Sequence, residues 1–231
     1  MGAGNPIWRE LAKSRINVFQ PKLLPRTALI KTGDADQAIL NFHPLLGIFQ
    51  RLRFLLVLSL LPMRRFSRLL EIGYGSGIFL PELAYQCDEL YGIDIHPHAA
   101  RVLGNLRRHH VDAELMQGSA TALPFHGKTF ECVVAMSCME YIDPLVSAVR
   151  EIRRVLTSDG CFVLVTPGNS PVIDFAHDLL TGRSVRRDYG DRRDRLIPTL
   201  TKSFVVQREL AIPRTGGGLF TIYRGLRLGV S

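Results

Sequence analysis

The residue spacing that most clearly indicates a ligand-binding site in this sequence is a set of three glycines at alternate positions. One acidic residue precedes them and another follows. Gly73, Gly75 and Gly77 stand in "RLLEIGYGSGIFLPELA", directly after an apolar run that contains Glu71. Glycine permits positive φ and lets a ligand approach the backbone closely. A loop that leaves a parallel strand and opens a helix is where an open α/β sheet binds its ligands. The glycines therefore predict a binding loop at the carboxyl end of a strand.

The spacing of these glycines restricts the ligand. G-x-G-x-G is one residue shorter than the dinucleotide pattern G-x-G-x-x-G, and no Lys-Ser or Lys-Thr follows as in a P-loop. Glu71 suits a cationic amine, and Asp94, at the end of the next predicted strand, suits the two hydroxyls of a ribose. S-adenosylmethionine carries a ribose, a sulfonium and an α-amino group without phosphate, so it fits this pattern. A nicotinamide oxidoreductase is disfavoured. The alternative to a binding loop is a tight strand–helix turn that binds no ligand.

Alternating strand and helix patterns surround this loop. Strands are predicted at 68–73, 89–95, 112–118, 131–137 and 161–167, and helices at 36–60, 77–86, 97–110 and 143–156. Strict alternation favours an α/β fold with a parallel sheet and helices on both faces. Asp143 is the expected N-cap of the last helix, and Asp159-Gly160 the expected turn after it.

The remainder of the chain follows a different pattern. Residues 170–182 look helical and 183–195 form a charged loop, followed by "SFVVQREL" and "GLFTIYRGLRL", which alternate apolar and polar residues. Such alternation predicts two closing antiparallel strands. We divide the chain into an N-terminal cap or lid segment (1–65) and a main domain (66–231). The main domain has a motif core (66–168) and a closing helix, loop and strands (169–231).

Four segments in order resemble class I S-adenosylmethionine-dependent methyltransferases, in the small-molecule branch similar to methyltransferase type 11. They are "LLEIGYGSGIFLPELA", "LYGIDIHPHAA", "MQGSATALPFHGKTFECVVAMSCMEYIDP" and "REIRRVLTSDGCFVLVTP". The resemblance implies a Rossmann-like, seven-stranded, mostly parallel sheet and S-adenosyl-L-methionine as cofactor. It also implies these cofactor-binding residues: Glu71, Gly73, Tyr74, Gly75, Gly77, Asp94, Ile95, Ser119, Ala120, Met136 and Ser137.

The chain departs from the family pattern at two places. Ser119 stands where an aspartate commonly faces the adenine, and Ser158-Asp159-Gly160 replaces the usual Pro-Gly-Gly turn. The serine still offers a hydroxyl to the exocyclic amine, so we expect weaker adenine contact without loss of the site. The second change concerns only a turn.

No residue is marked by the sequence as the catalyst. Much of methyl transfer from a sulfonium is positioning, and a general base is needed only for an acceptor that arrives protonated. Glu140 and Tyr141 follow the fourth strand, where related enzymes face the acceptor, and His43 precedes the apolar helix. These three are the candidates, each with a structural alternative, and no metal site is predicted.

Composition leaves the methyl acceptor open. The 231 residues carry a net charge of +8, but their arginines are scattered and partly interleaved with aspartates. A nucleic-acid or protein methyltransferase and a non-catalytic cofactor-binding scaffold stay as alternatives to a small, hydrophobic or lipid-like acceptor. Residues 44–62 are too short in uninterrupted apolar sequence to span a bilayer. They predict either a helix packed on the domain or a peripheral membrane contact. We expect a cytoplasmic monomer or homodimer, with membrane association through this segment left open.

Overall fold

Seven strands and five α-helices lie within the residues that the computed structural model describes, which are 21–33, 36–168, 170, 191–213 and 220–230. The strands are β1 (Phe66–Ile72), β2 (Cys87–Asp94), β3 (Glu114–Gln117), β4 (Phe130–Met136), β5 (Leu156–Pro167), β6 (Phe204–Ile212) and β7 (Tyr223–Val230). The α-helices are α1 (Leu46–Leu60), α2 (Leu80–Ala84), α3 (Ala99–Arg108), α4 (Leu145–Val155) and α5 (Arg192–Thr201). Short 3-10 helices occupy Arg26–Ala28, Ala38–Phe42 and Met139–Tyr141.

The strands form one sheet in the order β3-β2-β1-β4-β5-β7-β6. The first five run parallel, whereas β7 lies antiparallel to both β5 and β6. The predicted mostly parallel sheet with an antiparallel C-terminal pair is thereby confirmed. The order reverses between β1 and β4, and a ligand of an open α/β sheet binds at such a switch point, beyond the carboxyl ends of the strands.

Alternate residues of the central strands supply two separate cores, one on each face of the sheet. Cys132 and Val134 of β4 belong to the core beneath α1, whereas Val133 and Ala135 belong to the core beneath α4. Both sets are fully buried, which is why the strand is apolar at every position. Burial on both faces fixes the register, because a slip by one residue would exchange the two sets.

Helix α1 packs on the sheet through its second half only. It contacts β4, β5, β6 and β7, and Phe54, Val57 and Leu60 are fully buried. The first half is different, because Ile48 is 56% exposed and Phe49 is 49% exposed. Packing therefore accounts for the C-terminal half of the apolar segment. In the described part of the chain, no helix is long and apolar enough to cross a membrane.

The predicted helix over residues 36–60 is wrong in its first third. A 3-10 helix over Ala38–Phe42 ends at His43, which is extended (φ −73°, ψ 136°), and α1 begins only at Leu46. The cause is Pro44, because a residue before proline is driven out of the helical region. The same effect corrects the predicted cap of α4: Asp143 precedes Pro144, and Pro144 itself occupies the N-cap position.

Three other boundaries differ from prediction. The helix expected at 77–86 is reduced to the five residues of α2. The expected turn at Asp159-Gly160 lies inside β5, which begins directly after α4. The pairing with β4 shifts in register here, because Phe130 pairs with Leu156 and Cys132 pairs with Cys161. Residues 192–195 belong to α5 and not to a loop. Asp191 is the N-cap of α5, and the rest of the predicted loop (183–190) lies outside the described residues, as does the predicted helix at 170–182 except for residue 170.

Candidate functional site

The three glycines of the loop after β1 all have positive φ, but only one of them faces open space. A Cβ on Gly73 would lie 2.6 Å from Cys138 Cβ, and a Cβ on Gly77 would lie 2.8 Å from Val102 Cγ1. On Gly75 the nearest atom would be Thr32 Oγ1, at 4.0 Å. Gly73 thus allows close packing of the segment that follows β4, and Gly77 allows close packing of α3, whereas Gly75 leaves its backbone accessible to a ligand.

Asp94 is held in place at the end of β2 by the glycine loop. The Gly75 N–H donates to Asp94 Oδ2 at 2.8 Å, and the His96 N–H approaches Oδ1 at 3.4 Å. The carboxylate is largely buried, with 14% of the side chain exposed. It is therefore pre-oriented at the switch point, with acceptor capacity left for a ligand.

His96 was missed by the sequence analysis, although it stands two residues after Asp94. Its Nδ1 accepts the His98 N–H at 3.1 Å, so Nε2 carries the proton and donates to the Gly75 carbonyl oxygen at 2.9 Å. The ring also packs edge-on against Tyr74, with centroids 5.0 Å apart. This buried imidazole ties the glycine loop to the end of β2, and only the fold shows that the two meet.

Glu71 is buried at the end of β1 with no compensating partner. Its Oε2 lacks any hydrogen bond in the described structure. Burial and, to a smaller extent, the nearby Asp94 raise the pKa of this carboxyl to about 8 against the opposing effect of Arg53. A buried carboxyl without a partner is costly once ionised, so the site favours a ligand that brings a positive charge.

The remaining predicted cofactor residues surround the same cavity. Ile95 is 76% exposed at its rim, and the Ser119 hydroxyl lies 2.8 Å from Thr121 Oγ1 and accepts the Thr121 N–H. Ser137 has a positive φ of 52° and a buried hydroxyl without a partner. The cavity is lined by Glu71, Gly73, Tyr74, Gly75, Asp94, Ile95, Ser119, Ala120, Met136 and Ser137, whereas Gly77 does not line it.

The candidate catalytic residues occupy three different environments. Tyr141 lines the cavity and is partly exposed. Glu140 is fully buried outside the cavity lining, where burial raises its pKa to about 7 and Thr166 Oγ1 lies 3.5 Å from its Oε2. His43 is exposed and accepts the N–H groups of Leu45 and Leu46, so it caps the start of α1. Of these three, only Tyr141 faces the cavity.

The cavity itself has a volume of about 650 Å³ and extends well beyond the glycine loop. One wall comes from the N-terminal segment, where Asp36 accepts hydrogen bonds from the Thr32 N–H and hydroxyl at 3.1 and 2.9 Å. Another wall is formed by Leu46, Phe49 and Ile222. A polar end and an apolar end therefore share one continuous space.

Comparison with known proteins agrees with this geometry. Residues 70–164 match the family model described as "Methyltransferase domain". The fold, the site and this match over residues 70–164 support a class I S-adenosylmethionine-dependent methyltransferase. An N-methyltransferase from Bradyrhizobium japonicum, solved with S-adenosyl-L-homocysteine, superimposes with a TM-score of 0.63 at 17% identity, covering 98% of this chain and 99% of that one.

Among curated relatives, an uncharacterized methyltransferase of Bacillus subtilis is 29% identical over 46% of this chain and 44% of its own length. The phosphatidylethanolamine N-methyltransferase of Cereibacter sphaeroides is 29% identical over 69% of this chain and 80% of its own length. The chain spans less than half the length of the first curated relatives it matches. Both of these relatives are named as methyltransferases, and only the second name states an acceptor.

Proposed function

We propose that this chain binds S-adenosylmethionine at the polar end of the cavity and transfers its methyl group to a small, lipid-like acceptor at the apolar end. The observation that carries the proposal is the continuity of the cavity from Asp94 to Phe49 and Ile222. A methyl donor and an acceptor must meet without intervening water, and a single space with one polar and one apolar end meets that requirement.

The residues at the polar end fit the cofactor. Asp94 offers carboxylate oxygens to the ribose hydroxyls, and the open face of Gly75 allows close approach of the backbone. Glu71, with an unpartnered oxygen, would receive the ammonium group. When bound, the cofactor supplies an electrophilic methyl group on a sulfonium. The backbone around Gly118, Ser119 and Ala120 would contact the adenine, although the Ser119 hydroxyl is already engaged with Thr121.

The residues at the other end serve to position an acceptor and to exclude water. Phe49, Ile142 and Ile222 present apolar side chains, and Tyr141 also lines the cavity. Positive charge disperses as methyl leaves a sulfonium, so a poorly hydrated site favours the transition state. Glu140 does not reach the cavity, which leaves Tyr141 as the candidate to contact the acceptor.

Named relatives support an acceptor with a lipid character. Besides the phosphatidylethanolamine N-methyltransferase, a malonyl-[acyl-carrier protein] O-methyltransferase of Enterobacter lignolyticus is 27% identical over 48% of this chain and 43% of its own length. Structural similarity alone carries less weight. The [4+2]-cyclase SpnF superimposes with a TM-score of 0.63 at 16% identity, so the fold also occurs in a protein named for other chemistry.

Binding of S-adenosylhomocysteine tests the cofactor part of the proposal. At about 100 times its dissociation constant, a ligand stabilises the folded state by about 2.7 kcal/mol, which corresponds to a rise in melting temperature of about 5–10 °C for a chain of this size. We expect this rise with S-adenosylhomocysteine and none with NAD. Absence of a shift at saturating S-adenosylhomocysteine would disprove the cofactor assignment.

Transfer of a labelled methyl group into a cell extract tests the acceptor part. We expect the label in the lipid or small-molecule fraction, because the cavity has a volume of about 650 Å³ and Leu46, Phe49 and Ile222 line it beyond the cofactor end. Label in nucleic acid or protein would instead establish the alternative suggested by the net charge of +8. Cofactor binding without transfer into any fraction would favour a non-catalytic scaffold.

We further propose that the exposed segment 39–49, which ends in the first turn of α1, touches a lipid surface. Ile39, Phe42, Leu45, Ile48 and Phe49 are exposed within eleven residues, and Phe49 also lines the cavity. Apolar side chains exposed beside the entrance to a cavity are suited to an acceptor that arrives from a bilayer.

Ile48→Glu is expected to weaken sedimentation with vesicles of phosphatidylcholine and phosphatidylglycerol, because a charge at this position opposes burial among acyl chains. Val205→Glu is the matched control, since Val205 is 54% exposed on β6 and Ile48 is 56% exposed. Equal vesicle binding by the two variants would contradict the proposed contact, and both variants should still bind S-adenosylhomocysteine.

A further inference from the structure

We propose that Arg53 is the binding residue for an anionic head group, a phosphate or a carboxylate, on the amphiphilic acceptor. This inference rests on the proposed function, because it names the acceptor chemistry of the same cavity. It is carried by an unpaired guanidinium in the cavity wall, by the location of α1 over the sheet, and by the charges nearby.

Arg53 is a partly buried arginine without a protein partner. None of the hydrogen bonds or ion pairs found in the described part of the chain involves it, and its Nε is a buried donor with nothing to bind. The guanidinium lies over the Phe54 ring, 5.1 Å from the centroid, and lines the cavity. A buried guanidinium N–H without an acceptor is costly, so we expect a ligand to accept this hydrogen bond.

A second unpartnered polar atom stands one helical turn away. Gln50 lies three residues before Arg53, lines the same cavity, and has a buried Oε1 without a donor. Residues at this spacing share one face of a helix. Together they form a polar patch on the wall that is otherwise made by Leu46 and Phe49, which is the arrangement an amphiphile with a polar head requires.

The position of α1 assigns this patch to the acceptor end of the cavity. Helix α1 contacts β4, β5, β6 and β7, whereas Asp94 ends β2. In the strand order, β7 is four steps from β2, or about 19 Å at the usual strand spacing. The electrostatic influence of Arg53 extends to Tyr223, at the start of β7, to Glu140, and also to Glu71 at the end of β1. The contacts of its helix with β5, β6 and β7 favour the side of the site away from the ribose.

A second arginine lies in the wall of the same cavity, and no carboxylate among the described residues pairs with Arg53. Arg193 also lines the cavity, where its Nη1 donates to the Gly168 carbonyl oxygen at 3.2 Å. The buried carboxyls nearby offset these charges only in part, because burial raises the pKa of Glu140 to about 7 and that of Glu71 to about 8. Asp36, Asp94 and Asp143 line the cavity as well, but none forms an ion pair with Arg53. An anionic head group would supply the acceptor that Arg53 lacks.

A set of probes with one tail and different heads tests the proposal in the presence of saturating S-adenosylhomocysteine. By calorimetry, decyl phosphate or decanoate should bind the wild-type protein at least about tenfold more tightly than decanol, since a hydrogen bond to a charged group gives this gain. Inorganic phosphate alone should bind more weakly than decyl phosphate, because it lacks the tail. Equal affinity for decyl phosphate and decanol would overturn the proposal, whether or not any variant folds.

Arg53→Gln should abolish the preference for anionic probes and leave the affinity for S-adenosylhomocysteine within about twofold. The matched control is Arg51→Gln, which removes the same charge from α1 at a residue whose Nε binds the Gly47 carbonyl oxygen and which does not line the cavity. Equal losses of S-adenosylhomocysteine and decyl phosphate affinity in Arg53→Gln would place Arg53 at the carboxylate of the cofactor and overturn the proposal. Failure of the wild-type protein to bind S-adenosylhomocysteine would instead refute the proposed function itself.

Discussion

Replacing Asp94 by alanine is expected to reduce the affinity for S-adenosylhomocysteine by about 100-fold or more. Two hydrogen bonds to a charged acceptor are lost, each contributing about 1.5–3 kcal/mol, and every 1.4 kcal/mol is a factor of ten. The variant also loses the 2.8 Å bond from the Gly75 N–H, so the loop that should meet the cofactor is released. Calorimetric titration measures the affinity directly.

Asp88→Ala is the matched control for this experiment. Asp88 lies on the same strand, near its opposite end, and pairs with Arg65 at the surface. We expect wild-type affinity in this variant, because the exposed ion pair is far from the carboxyl ends of the strands and contributes little to stability. Retained affinity in Asp94→Ala would show that the ribose is held elsewhere and would remove the main support for the site described above.

Replacing Glu71 by glutamine is expected to stabilise the ligand-free protein at neutral to alkaline pH while weakening cofactor binding. The pKa of Glu71 is raised by burial from 4.5 to about 8, so the folded state resists ionisation that the unfolded state accepts. Wild-type stability from this group is complete below about pH 4.5 and is lost as the pH rises toward 8. Glutamine does not ionise, so Glu71→Gln should gain a few kcal/mol over wild type by about pH 8 and nothing at about pH 4.

Urea denaturation at several pH values measures this difference. Because Glu140 titrates in both proteins, its contribution cancels in the comparison. Glu89→Gln is the control: Glu89 is exposed, and its hydrogen bond from Arg68 lowers its pKa, so no gain should appear between about pH 5 and about pH 8. A pH-independent effect of Glu71→Gln would show that the carboxyl is ionised in the folded protein and would contradict the electrostatic description of the site.

The variants at Asp94 and Glu71 separate contributions to ligand affinity from contributions to the stability of the ligand-free protein. Glu71 is expected to destabilise the ligand-free protein and to favour a cationic ligand, whereas Asp94 is already partnered and serves the ligand by its orientation. Functional sites commonly hold such unpartnered buried groups, whose cost is met by the stability of the rest of the fold. Opposite signs of the stability change and the affinity change in Glu71→Gln would therefore identify it as a ligand-binding residue.

Several features of the fold were predictable because they depend on local pattern. Strands such as β4 are apolar at every position, since both faces of a parallel sheet are covered, and the alternation of "SFVVQREL" predicts an antiparallel strand. The boundaries that failed depend on single residues acting on their neighbours. Pro44 ended the predicted first helix at His43, and Pro144 displaced Asp143 from the cap of α4.

By itself, the sequence determined the kind of sheet, the position of the binding loop, and the placement of Glu71 and Asp94 at the ends of adjacent strands, because strand periodicity and glycine spacing are local properties. Only the tertiary structure decided which glycine faces the ligand, since Cys138 and Val102, from distant segments, occupy the space beside Gly73 and Gly77. It also brought His96 to the Gly75 carbonyl and left Arg53 unpaired in the cavity wall. Residues distant in sequence come into contact only when the sheet is assembled. For the same reason, the spacing of residues along the chain does not reveal that the Arg53 side chain lacks a hydrogen-bond partner.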